Sequence, residues 1–105
     1  MSQDTPFAIS VDTAADKDLV KVHCWYEAES NALAKSFFKH YVQQRNRISE
    51  QPFLYARFEG NVRRCALKKF PYHIYYKVLK DQRLIVILAV LHQHQDTSQL
   101  AERWK

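Results

Sequence analysis

Leu84-Ile85-Val86-Ile87-Leu88-Ala89-Val90-Leu91 is a run of eight apolar residues without alternation. It is too short for a membrane span and suits a strand buried on both faces, which makes it the expected central strand of a covered sheet. Working back toward the N-terminus, Lys80-Asp81-Gln82 turns the chain. Before it, Tyr72, Ile74, Tyr76 and Val78 alternate with His73, Tyr75 and Lys77, which is the period of a half-buried strand. Val62 to Phe70 alternates too, with Arg63, Cys65, Leu67 and Lys69 on one side. Glu59-Gly60-Asn61 is a turn, and Phe53 to Phe58 reads as one more short strand.

Upstream of Pro52 the period changes from 2 to about 3.6. Ala34, Phe37, Phe38, Tyr41 and Ile48 share a helical face, while Lys35, Lys39, Gln43 and Arg47 point away. Ala15, Leu19, Val22 and Tyr26 form the apolar face of an earlier helix, with Trp25 at its edge. Asp12 or Thr13 can cap the first helix, and Ser30 or Asn31 the second. Asp16 and Asp18 suit the positive end of the first. The expected spans are residues 14–29 and 32–50, an antiparallel hairpin whose second helix Pro52 terminates. Phe7, Ile9 and Val11 alternate as a first strand, and residues 98–105 suit a short closing helix. The order β-α-α-β-β-β-β-α defines one α+β domain over residues 1–105, a helical hairpin packed on a mostly antiparallel sheet.

Composition removes several classes. Gly60 is the only glycine, so neither a P-loop nor a dinucleotide-binding fingerprint can be written. Met1 to Ser10 lacks a basic start and an apolar signal core, so a cytoplasmic protein without a membrane anchor is expected. Cys24 and Cys65 form no C-x-x-C and read as reduced, buried packing thiols. His92, His94 and Asp96 have the period-two spacing of a metal site, but a polar strand exit explains them better, and no metal is assigned. A nucleophilic Cys24–His23 pair fails because helical neighbours diverge.

Charge is uneven. Residues 57–83 hold Arg57, Arg63, Arg64, Lys68, Lys69, Lys77, Lys80 and Arg83 against Glu59 and Asp81. That segment is +6 in a chain of net charge +5. Such a basic segment favours a nucleic acid or an acidic protein partner. Tyr75, beside His73 and Lys77, is the tyrosine expected to be exposed; Tyr72 and Tyr76 are expected in the core. Leu19, Trp25 and Phe38 are also expected in the core.

Arg63-Arg64-x-x-Leu67-x-x-Phe70-Pro71-Tyr72-x-Ile74-x-Tyr76-x-Val78 resembles the sheet signature of the RelE/ParE family of bacterial toxins. Ile87 to His92 followed by Asp96 resembles it as well. Upstream, Asp18-Leu19, Trp25-Tyr26-Glu27, Phe38, Ile48 and Pro52 fall where that family's hairpin has similar residues. The likeness runs over residues 9–104. It implies the toxin of a type II toxin–antitoxin pair, neutralised by a cognate antitoxin, with no cofactor. RelE-like members cut mRNA on the ribosome; ParE-like members trap DNA gyrase.

Metal-free RNA cleavage needs a group to activate the 2′-hydroxyl, cations for the phosphate and an acid for the leaving oxygen. Arg63, Lys68, Lys69, His73 and His92 are the candidates for such a site. The chain departs from the nuclease pattern at His73 and Gln95, where Arg is common, and at Gln99, near the usual Tyr. Glutamine carries neither the charge nor a transferable proton. Leu91-His92-x-x-x-Asp96-x-x-x-Leu100-Ala101-x-Arg103 resembles the end of ParE-like proteins. The resemblance therefore favours a non-enzymatic gyrase inhibitor over a ribosome-dependent endonuclease. For binding, the candidates are Arg57, Arg63, Arg64, Lys69, Tyr75, Lys77, His92, Asp96 and Arg103, with Arg103 expected to pair with Asp96 or an acidic partner. A third class, a non-toxic basic nucleic-acid-binding module, shares the charge but needs no antitoxin.

Overall fold

The computed structural model describes residues 5–98 and 100–103. Its elements are β1 (Ala8–Val11), α1 (Thr13–Glu27), α2 (Asn31–Glu50), β2 (Arg57–Glu59), β3 (Val62–Ala66), β4 (Tyr72–Leu79), β5 (Leu84–His92) and α3 (Leu100–Arg103). The fold is α+β, as the periodicity predicts. Asp12 caps α1 by accepting from Thr13 N–H, and Ser30 Oγ caps α2 by accepting from Leu33 N–H at 2.9 Å. The strands form one five-stranded sheet in the order β1-β5-β4-β3-β2. Only the β1–β5 pair is parallel. β5 is interior and buried, but β4 holds the middle of the sheet.

The hairpin covers one face. Phe37, Tyr41 and Ile48 of α2 pack with Ile74, Tyr76 and Ile87 of the sheet in one core cluster. The opposite face has its own cluster, formed by Val62, Tyr75, Leu88, Ala89, Leu91 and Leu100 of α3. A bulge reconciles the two. Tyr75 faces Ala89 while Tyr76 faces Ile87, so Leu88 is an extra residue in β5. Ile85 and Ile87 therefore face the hairpin, Leu88 and Ala89 both face the reverse side, and Val90 returns to the hairpin side. An unbroken apolar run is what such a strand requires.

Several expectations need correction. Residues 53–56 are not strand: β2 begins at Arg57. Pro52 lacks an N–H, and its carbonyl accepts from Tyr76 Oη at 2.9 Å while Tyr55 C=O accepts from Arg63 Nη1 at 2.6 Å. Those bonds hold the segment out of the ladder. The strand expected through Phe70 stops at Ala66, whose carbonyl accepts from the buried Gln44 Nε2 at 2.8 Å. Lys69 beyond it is left-handed, with φ 70°, and Pro71 has no N–H for a ladder. Leu67 and Phe70 still reach the hairpin-side core.

Phe38 and Trp25, expected in the core, are 52% and 69% exposed. Cys65 is buried as expected, but Cys24 is exposed. The closing helix, expected over 98–105, is seen over Leu100–Arg103; Ser98 is a turn residue, and 99, 104 and 105 lie outside the described residues. Among the described residues no helix is long and apolar enough to cross a membrane.

Candidate functional site

The basic segment does not make one surface, because its strands put alternate residues on opposite faces. On the reverse face lie Arg64, His73 and Lys77, spread over β3 and β4. Arg64 is exposed, with its guanidinium 4.9 Å from the Phe58 ring centroid. His73 is half-buried 6.1 Å from Tyr75, and its Nδ1 is buried with no hydrogen-bond partner among the described residues. Burial, then the Arg64 charge, lowers its pKa below the usual imidazole value. Tyr75 itself is 1% exposed. Its placement as an exposed contact is therefore wrong: the side opposite the hairpin is a second core, and Tyr75 lies in it.

Arg63 and Arg57 are on the hairpin side. Arg63 is held by the Tyr55 carbonyl and sits 5.2 Å over the Phe53 ring, while Arg57, its register partner on the edge strand, is exposed. Lys68 and Lys69 are exposed in the loop after β3. His92, at the end of β5, lies 5.2 Å from the Tyr72 ring, and its Nδ1 accepts from His94 N–H at 3.1 Å. Tyr72 belongs to the hairpin-side cluster and His92 is its register partner, so His73 and His92 are on opposite faces of the sheet. His73 is thus separated by the sheet from Arg63 and His92, and the five candidates for cleavage do not share one face. Among the described residues no three His, Cys, Asp or Glu side chains cluster to hold a metal.

Arg103 does not pair with Asp96. Its Nη1 lies 2.7 Å from Asp18 Oδ2 in an ion pair whose side chains are 18% and 14% exposed. Asp96 is used locally, accepting from Ser98 N–H at 2.9 Å and Ser98 Oγ at 3.0 Å. Those bonds hold its carboxyl below the usual carboxylate range. Gln99 lies outside the described residues.

The sequence reading missed an apolar groove on the outer side of the hairpin. Its volume is about 230 Å³, and Leu19, Val20, Phe37 and Phe38 line it together with Asp16 and His23. Val20 is 59% and Phe38 52% exposed. The signal was adjacency: Leu19–Val20 and Phe37–Phe38 are neighbours on a helix, and neighbours 100° apart do not both point into one core. Exposed Lys17 and Lys35 each stand one turn before these side chains.

Similar architectures occur among solved structures. A chain of the chromosomal ParDE toxin–antitoxin system from P. aeruginosa superposes with TM-score 0.71 at 17% identity, covering 84% of this chain and 97% of that one. A free-state mutant of the E. coli toxin RelE gives 0.62 at 16% identity, with 93% of each chain covered. The RelBE2 toxin–antitoxin complex from Mycobacterium tuberculosis gives 0.58 at 16% identity, covering 83% and 98%. These likenesses define a RelE/ParE-like toxin fold. Among curated proteins none matches the sequence. The model of the ParE toxin of the type II toxin–antitoxin system parDE matches residues 9–97, and the chain belongs to that family.

Proposed function

We propose that this toxin acts by binding DNA gyrase and not by cutting RNA, and that a cognate antitoxin neutralises it. The observation that carries the reading is the dispersal of the acid–base groups. Arg63 is committed to the Tyr55 carbonyl on one face, while His73 lies on the other. A cleavage site needs its base, acid and phosphate cations within reach of one phosphodiester. The ParE family match supports the same branch. Gln95 adds to it, because its Oε1 accepts from His92 N–H at 3.3 Å and is a backbone cap.

The antitoxin seat is the hairpin groove. An amphipathic helix laid there would cover Val20 and Phe38 and meet Lys17 and Lys35 with acidic residues. The test is a side-by-side assay. Purified toxin should inhibit gyrase supercoiling and leave mRNA on translating ribosomes intact. Ribosomal cleavage that disappears on changing His73, Lys69 or Arg63, with gyrase unaffected, would reverse the assignment.

A further inference from the structure

The chain that leaves α2 turns two large apolar side chains outward. Phe53 and Leu54, just past Pro52, are 49% and 53% exposed. Their backbone is nevertheless fixed. Leu54 N–H donates to Gln51 C=O at 3.1 Å, and the Pro52 and Tyr55 carbonyls on either side accept from Tyr76 and Arg63. A held loop that presents apolar side chains loses little entropy on binding, which is the character of an interface anchor.

Phe53 belongs to two cavities. One, of about 770 Å³, lies between the start of β1, the end of α2 and the turn before β5, with Phe7, Leu54, Lys80 and Arg83 among its walls. The other, of about 220 Å³, is lined by Phe53, Arg57, Asn61, Arg63 and Val78, with no acidic side chain among them. A row of rings and guanidiniums joins the two. Arg63 stands 5.2 Å over Phe53, Phe53 meets Phe7 edge-on at 6.3 Å, and Arg83 stands 4.5 Å over Phe7. Arg63 and Arg83 also donate to the carbonyls of Tyr55 and Thr5, which orient a guanidinium without neutralising it. Arg57 in the smaller cavity and Lys80 in the larger are exposed. Against these four cations stand Glu50 and Asp81, both in the larger cavity. The surface is positive around an apolar centre.

We propose that this surface, centred on Phe53 and Leu54, is where the toxin grips gyrase, through an apolar gyrase segment flanked by carboxylates. The proposal rests on the gyrase reading above and supplies its contact site. Charge complementarity selects an acidic segment. The apolar centre selects protein over a nucleic-acid backbone. Leu54 has no ring on which a base could stack, and Glu50 and Asp81 would repel a chain charged at every phosphate. An antitoxin helix in the hairpin groove leaves the surface open: Phe38 at the groove and Glu50 at the larger cavity are separated by about 18 Å of α2 axis, at about 1.5 Å per residue. Antitoxin and target are thus held by different parts of the toxin.

Arg57→Glu and Leu54→Ser change exposed positions. Each should raise the toxin concentration that half-inhibits gyrase supercoiling at least about fivefold. Affinity for the antitoxin, taken as the product of the reading frame adjoining this gene, should stay within about twofold of the parent, which also reports an intact fold. Parent-level inhibition by both variants would overturn the site and leave the gyrase reading standing. Weakening by Arg57→Glu alone would assign the cations to DNA and overturn the protein segment; weakening by Leu54→Ser alone would overturn its acidic character. Equal weakening of antitoxin and gyrase binding would give the surface to the antitoxin and overturn the proposal. So would a parent toxin that self-associates in sedimentation beside a monomeric Leu54→Ser variant, which would give it to a second copy. No inhibition by the parent toxin would overturn the gyrase reading itself, and this proposal with it.

Discussion

Replacing Asp18 with Ala removes an ion pair and an N–H acceptor in one step. The 2.7 Å pair with Arg103 is largely shielded, at 18% and 14% exposure, so it falls between the surface and interior regimes. Breaking a fully buried pair costs about 3–5 kcal/mol, and an exposed one about 0–1 kcal/mol. About 2 kcal/mol is the appropriate middle value. Val90 N–H also loses its acceptor, adding about 1 kcal/mol. Asp18→Ala should therefore destabilise the free toxin by about 3 kcal/mol, lowering Tm by roughly 12 °C for a domain of this size. Asp18→Asn keeps an oxygen for Val90 and should cost about 2 kcal/mol. Urea unfolding of the two variants, Arg103→Ala and the Asp18→Ala/Arg103→Ala double variant gives the coupling, expected at about 1–2 kcal/mol. Coupling near zero, with Asp18→Ala within about 0.5 kcal/mol of the parent, would show that the ion pair holds nothing in place.

Cys24 is exposed, whereas burial pushes the Cys65 thiol up to about 11. One thiol should react with Ellman's reagent in the native protein and both in denaturant; rapid native reaction of both would contradict the burial of Cys65. His73 has its folded pKa lowered below 6.5, chiefly by burial and then by Arg64. A lowered histidine pKa means that the unfolded chain binds the proton more readily, so this stability is complete above pH 6.5 and is lost as pH falls toward the folded value. His73→Phe should flatten urea-midpoint profiles in that window, and an unchanged slope would refute the assignment.

Most of the fold is legible in the chain because the hydrophobic period changes at Pro52 and both helix caps are local. β2 is not, since Phe53 to Phe58 has the apolar content of a strand and its displacement depends on bonds from Arg63 and Tyr76, distant in sequence. Charge misleads for a different reason. A sum over residues 57–83 ignores that Arg63 and Arg64 are consecutive on a strand and leave by opposite faces. Arg103 exposes a third limit. Asp96 is its near neighbour in sequence, yet Ser98 occupies that carboxylate and the partner is Asp18, at the other end of the chain.

Leu88 connects the fold to the Asp18–Arg103 ion pair. An inserted residue in an alternating strand would betray itself by breaking the alternation; within Leu84 to Leu91 it leaves no mark, because every position is apolar. The insertion nevertheless changes which groups face which way. Without it, Ala89 and Val90 would fall on the opposite faces from those observed, and the backbone groups on the two edges would exchange beyond that point. With it, Val90 packs under the hairpin and turns its N–H to Asp18, while Leu88 supports α3 through Leu100 and offers its carbonyl to Arg103. The Asp18–Arg103 pair and the seat of α3 therefore have one cause. A change that repaired the ladder at Leu88 would disturb both together.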